Sequence, residues 1–356
     1  MPDNKRMYYR DYLQLDKILN AQHPESFKKG NESAHDEMLF IIIHQAYELW
    51  FKQVLFEIDF ILNVFQKEKI DDNSEDLNLV RHRFIRIIKI LELLTQQVTL
   101  LETMTPLDFL EFRNLLVPAS GFQSLQFRLI EAKLGLQMNN RFKKDYYKRT
   151  NEGGFEKDDF NTINETESQT NLLSLINNWL ERMPFFQEDL WTNYESKFPV
   201  SGGLHPFWSD YRQIYKNGLN ERESARIDDF DFIFFGKDTH EQEQGSLLSA
   251  QAMRAALFIM LYRDFPVFQT SYQVLDALIE IDNQLSNWRH KHMDMVRRMI
   301  GMRTGTGNTS GRGYLEGALN SHYVFKDIAG LSTFLIERKK LPKLPRLLIE
   351  RLSFSS

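Results

Sequence analysis

Nine histidines and no cysteine define the chemistry open to this chain of 356 residues. Without a thiol there is no disulfide framework, no thiolate zinc site, no iron–sulfur cluster and no thiolate-held haem, so a bound metal must take His, carboxylate or Met. Position on the helix face separates the histidines. Between Ser271 and Gly301 one apolar column reads Leu278, Leu285, His292, Met299, flanked by Ile281, Trp288 and Met295, which points His292 into the core. His290, about 200° round the helix, shares a face with Asp294 and Arg297 and points to solvent. An imidazole in a stripe of Leu, Trp and Met needs a hydrogen-bond partner or a metal, because an unpaired buried polar group costs about 1–3 kcal/mol. Haem iron suits a single imidazole in a dry pocket rich in Phe, Leu and Ile. Zinc is disfavoured, since His290 and His292 at i and i+2 cannot face one ion from a regular helix.

A second placement lies near the start of the chain. Phe40 and His44, at i and i+4, share one helix surface with Tyr47 a turn further on. That is either a packed aromatic face with one polar member or one wall of a binding site. Arg113, in FLEFRNLL, stands at i+4 from Phe109. Its stem can lie on the core, or its fork can hold a carboxylate bidentately, a task Lys does less well. The loop Gly305-Thr306-Gly307-Asn308-Thr309-Ser310-Gly311-Arg312-Gly313 invites a phosphate reading. It fails, because the loop follows a helix and lacks both the Gly-Lys-Ser/Thr ending of a P-loop and the dinucleotide-fold opening. Its flexible backbone and hydroxyls could instead close over a polar substrate group.

The elements that must position these residues are helical. Apolar spacing of three and four recurs from Asp36 to about Lys67, from about Glu75 to Glu102, from Ser124 to Leu136, from Ser249 to Arg263 and from Ser271 to Gly301, and no series of alternating strands is present. The fold class expected is all-α, a helical bundle built on long helices with a candidate haem pocket and small polar helical excursions. Met38 to Ile43 is apolar all round, so burial is expected there. Thr105-Pro106 reads as an N-cap and first-turn proline. Polar excursions fall near 138–170 and 220–245, and the whole of 1–356 reads as a single domain. A net charge of −5 argues against a nucleic-acid partner. Apolar runs fall far short of the roughly 20 residues that span a bilayer, and the opening MPDNKRMYYRDY lacks a secretory pattern. A cytoplasmic protein with no membrane partner is expected.

The strings YYRDYLQLDKILNAQ, HDEMLFIIIHQAYELWFKQ, FRNLLVPASGFQSLQFR, ALFIMLYRDFP, WRHKHMDMVRRMIG and GTGNTSG together resemble the tryptophan 2,3-dioxygenase family, in that family's order, from about Tyr8 to Thr333. The resemblance implies a homotetrameric enzyme using haem b, ferrous when active, to insert dioxygen across the indole C2=C3 bond of L-tryptophan. The product is N-formyl-L-kynurenine, the first step of tryptophan catabolism by the kynurenine pathway. Position by position, it implies His292 as the iron ligand with Trp288 beside the cofactor. His44 falls near the indole N–H, Phe40 on the ring, Phe109 in the pocket wall, and Arg113 on the substrate carboxylate. Thr306 contacts the amino acid's ammonium or carboxylate, and Gly121 and Ser124 lie close to the haem's distal face. Tyr9, Tyr12 and Leu13, in an N-terminal segment spanning 1–23, reach a neighbouring subunit's pocket. One departure is visible: Asn308-Thr309 stands where the family usually has Gly-Ser. Asn accepts positive φ better than most residues, so the loop's fold is expected to survive.

Overall fold

A computed structural model describes residues 7–67, 75–136, 154–200, 204–236, 248–301 and 322–353. Every regular element among them is helical. Two short helices, α1 (Tyr9–Tyr12) and α2 (Leu15–Leu19), precede the long α3 (Asp36–Phe65) and α4 (Glu75–Leu101). There follow α5 (Pro106–Arg113), α6 (Leu125–Leu134), α7 (Lys157–Ser168), α8 (Leu172–Glu181), α9 (Pro206–Gly218), α10 (Arg226–Phe235), α11 (Ala250–Leu261) and the longest, α12 (Pro266–Ile300). None of the described helices is long and apolar enough to cross a membrane.

The frame is α4 packed along α12, with α3 against the other flank of α4. The buried residues of α4 are Leu77, Val80, Phe84, Ile87, Ile90, Leu91, Leu94, Val98 and Leu101; all but Ile90 alternate by three and four, which puts one continuous seam on one face. The matching residues of α12, Val274, Leu278, Ile281 and Leu285, are at most 2% exposed. Complete burial of each such side chain stabilises by roughly 1.5–3 kcal/mol. Glu57 of α3 is buried with them and holds the helices in register by ion pairs to Arg86 at 2.6 Å and Arg83 at 3.4 Å. A second, aromatic part of the core surrounds α9, α10 and α11, where Phe207, Trp208, Tyr211, Phe230, Phe234 and Phe258 are buried. Thus the polar stretch 220–245 contains α10, which contributes Phe230 and Phe234 to the interior. The stretch 138–170 contains α7, which packs on α6.

Three local features differ from expectation or sharpen it. The last long helix begins at Pro266 rather than Ser271, because a proline at N1 loses no intrahelical bond and adds a turn. Met38 to Ile43 is not uniformly buried: Ile43 is 4% exposed, but Ile42 is 48% exposed on an outer face with Leu49 and Phe56, while Phe40 and Ile41 turn toward a cavity. At α5 the expected cap is a full capping box, with Thr105 Oγ1 accepting from the Asp108 N–H and Asp108 accepting from the Thr105 N–H at 2.7 Å.

Candidate active site

The C-terminal half of α12, the first half of α3, α5 and the loop entering α6 enclose a cavity of about 700 Å³, whose lining includes Phe40, His44, Phe109, Arg113, Trp288 and His292. The two helix-face placements therefore converge on one space. By area the remainder of the wall is mainly apolar, with Phe51, Val98, Leu101, Phe127, Met295 and Met299, and polar groups such as Glu48, Ser124 and Glu131 are set into it.

His292 is carried by the apolar column of α12, as its spacing requires. No described residue hydrogen-bonds its ring, and the imidazole lies parallel to the Trp288 indole, with ring planes 4° apart and centroids 5.3 Å apart. Burial, reinforced by nearby His44, pushes its pKa down to about 4, so at neutral pH it is an uncharged ring with a lone pair. His290 is exposed and lies 3.5 Å from Asp294, as its helix face implied.

His44 is fixed differently. Its Nδ1 stands 2.7 Å from the Phe40 carbonyl oxygen. A carbonyl only accepts, so Nδ1 carries the proton and Nε2 is left as an acceptor in the neutral ring. Burial lowers its pKa, against the opposing effects of the Phe40 hydrogen bond and the Glu48 carboxylate. The Phe40 ring is 4.1 Å from the His44 ring and 5.8 Å from Phe109, and Phe109 meets Phe112 edge-on at 5.4 Å. These tilted and edge-on rings make an apolar wall. At its edge Arg113 ends α5, where the helix dipole favours a cation.

Sequence reasoning missed a buried ionic cluster in the same wall. Glu131 of α6 accepts from Arg128 at 2.8 Å and from Arg289 of α12 at 2.9 Å, and His322 lies 3.7 Å from it. All four side chains are at most 7% exposed. A signal existed: Leu275, Asp282, Arg289 and Val296 form the column beside that of His292, and charges inside an apolar seam are seldom idle. No group of three or more metal-ligating side chains occurs among the described residues.

The sequence model of tryptophan 2,3-dioxygenase matches residues 3–335. Curated relatives named tryptophan 2,3-dioxygenase align over nearly all of the chain. That of Bdellovibrio bacteriovorus is 41% identical, covering 98% of each protein. The Dictyostelium discoideum protein is 41% identical over 99% of this chain and 89% of its own length, and the mouse protein 40% identical over 95% and 84%. The chain belongs to the tryptophan 2,3-dioxygenase family.

Other residues that the resemblance to tryptophan 2,3-dioxygenases singles out fall in different places. Gly121 lines the cavity, and a Cβ added there would meet no protein atom within 4 Å, so the chain's own packing does not demand glycine. Ser124 also lines it, but its hydroxyl is committed: it donates to Glu48 at 2.6 Å and accepts from the Phe127 N–H as the N-cap of α6. Gln126 binds the same Glu48 carboxylate at 2.8 Å, which fastens α6 to α3 at the cavity wall. Tyr9, Tyr12 and Leu13 do not line this cavity; they are 70%, 68% and 36% exposed on and just after α1. Thr306 lies outside the described residues.

Proposed function

We infer that the protein is a haem-dependent dioxygenase that inserts both atoms of dioxygen across the C2=C3 bond of the L-tryptophan indole to give N-formyl-L-kynurenine. The observation that carries this reading is the His292 imidazole, without a hydrogen-bond partner among the described residues, facing the cavity that also holds the His44–Phe40 wall and Arg113. Residue types and space fit haem b: one nitrogen ligand without a competing partner, aromatic and aliphatic walls, and open space beside Gly121. When bound, the ferrous haem supplies dioxygen binding and activation.

The protein's share is binding, orientation and exclusion of water. His292 would hold the iron. Arg113 donates two parallel N–H groups to the substrate α-carboxylate, which fixes the amino acid end. His44 accepts the indole N–H at Nε2, the nitrogen its bond to Phe40 leaves open, and Phe40 and Phe109 cover the ring faces. With both ends held, the C2=C3 edge has one orientation, and a large part of the barrier reduction comes from that positioning in a dry site. His44 moves no proton in this scheme, because an indole N–H is a very weak acid.

Thr306 contacts the ammonium or carboxylate of the bound amino acid. Tyr9, Tyr12 and Leu13, exposed on their own chain, complete a neighbouring subunit's cavity within a homotetramer, with 1–356 forming one domain. Aerobic incubation of the reduced, haem-loaded protein with L-tryptophan, followed by mass spectrometry with labelled dioxygen, tests the reading. Both label atoms are expected in N-formylkynurenine; a protein that holds haem but forms no such product refutes it.

A further inference from the structure

A metal-ligating histidine ordinarily has its ring plane and tautomer fixed by a hydrogen bond from its second nitrogen to a carboxylate, a carbonyl or water. No described residue gives His292 such a bond. Among the described residues, the contacts that restrain the imidazole are aromatic. His292 and Trp288 are i+4 and i on α12, with rings nearly coplanar in direction at 4° and centroids 5.3 Å apart. Trp288 is itself enclosed by Phe127 of α6 at 5.0 Å, and by Tyr47 and Phe51 of α3 at 6.1 and 6.4 Å in edge-on contact. Tyr47 is anchored in turn, because its hydroxyl donates to the Leu94 carbonyl oxygen of α4 at 2.6 Å.

We propose that Trp288 and Tyr47 are positioning residues for the His292 imidazole, a stacked indole and an anchored phenol that tie the ligand's ring plane to α3 and α4. The assignment rests on His292 as the axial ligand. The Trp288 indole N–H is buried and faces the Tyr47 oxygen, so the indole is held in place and His292 meets it by ring packing. That distinguishes the arrangement from the usual hydrogen-bonded outer shell: losing the stack frees the imidazole's rotation while leaving the nitrogen available to iron.

The test uses the full-length haem-reconstituted protein and four variants: His292→Ala, Trp288→Leu, Trp288→Phe and Tyr47→Phe. Two quantities are read, the rate of haem transfer to an excess haem-scavenging apoprotein and the iron–imidazole stretching band of the ferrous form by resonance Raman. His292→Ala is expected to lose haem. Trp288→Leu is expected to keep the ligand but to release haem about 10–100-fold faster, the usual cost of removing an outer-shell partner, with a shifted or broadened band. Trp288→Phe, which retains a stacked ring, restores both readouts toward the parent. Tyr47→Phe removes one hydroxyl and no volume, and moves the band in the same direction as Trp288→Leu by a smaller amount. If His292→Ala loses haem while Trp288→Leu and Tyr47→Phe match the parent, the positioning proposal is overturned and the ligand assignment stands. If His292→Ala keeps haem with an unchanged band, the ligand assignment falls and takes the proposal with it. Should Trp288→Leu fail to fold, Tyr47→Phe decides: a parental band overturns the proposal.

Discussion

Replacing Glu131 by Gln isolates the energetics of the cavity wall. The carboxylate is 1% exposed and accepts from two guanidiniums, those of Arg128 and Arg289, each at most 7% exposed, with His322 alongside. Gln has nearly the same shape and retains an acceptor, so the change removes charge and little else. Leaving buried charges without their counter-ion costs about 3–5 kcal/mol, and because both guanidiniums share this carboxylate the upper half of that range is expected. Unfolding entropy near 2.1 cal/mol/K per residue gives roughly 0.75 kcal/mol per degree for a chain of this length, so the midpoint should fall by about 5–7 °C. Thermal unfolding followed by circular dichroism, at one protein concentration and fixed haem saturation, measures the shift. A companion variant, Glu131→Leu with Arg128→Met and Arg289→Met, replaces the cluster with apolar side chains and should recover most of the loss, since desolvation of the ions then disappears from the folded state. A shift for Glu131→Gln below about 1 °C, small against the expected range, or a triple variant no more stable than Glu131→Gln, would refute the reasoning.

Arg113→Met should raise the tryptophan KM by about 10–100-fold while changing kcat less, the loss of a charge-assisted bidentate contact; an unchanged KM rules out the carboxylate role. His44→Ala should lower turnover by about 2–10-fold, the worth of one neutral hydrogen bond, without abolishing it. Complete loss with haem and tryptophan still bound would mean that His44 transfers a proton. Asp282 is buried, accepts from the Val324 and Phe325 N–H groups at 3.1 and 2.6 Å, and is pushed up to about 6 by burial. Between roughly pH 4, where the unfolded carboxyl ionises, and about 6, the folded chain keeps a proton that the unfolded chain has released. Stability from this group is therefore full below pH 4 and falls by about 3 kcal/mol as pH rises to 6. Denaturant midpoints of Asp282→Asn across that interval should be flatter than the parent's, and an undiminished slope would assign the pH dependence elsewhere.

How much of this was legible depended on whether a residue's role follows from its own helix. His292 could be found because the buried seam of α12 repeats every seven residues and the histidine falls in it, whereas His290 falls out of it. The α5 cap could be found because Thr105, Pro106 and Asp108 act within four residues. The Glu131–Arg289–His322 cluster could not be assembled that way. Glu131 and Arg289 are 158 positions apart, so although Arg289 falls in an apolar column, nothing in the sequence pairs it with Glu131. Burial of Met38 to Ile43 was overread because apolar composition does not say whether a face meets core, cavity or outside: Phe40 lines the cavity and Ile42 is half exposed. The convergence of His44, Arg113 and His292 on one cavity is a tertiary fact, expected from family resemblance and visible only in the fold.

The seam between α4 and α12 also has a history in time. Arg81 of α4 donates to Gln273 of α12 across 192 residues of chain. At about 5–20 residues per second, a ribosome needs roughly 10–40 s to make the intervening segment. For that period α4 has α3 as a partner but not α12, and His292 and His322 of the cavity wall are made later still. Closing so long a loop is slow, so the seam with α12 waits through the first three-quarters of synthesis, and a haem held by His292 would be captured only at the end of synthesis or after it.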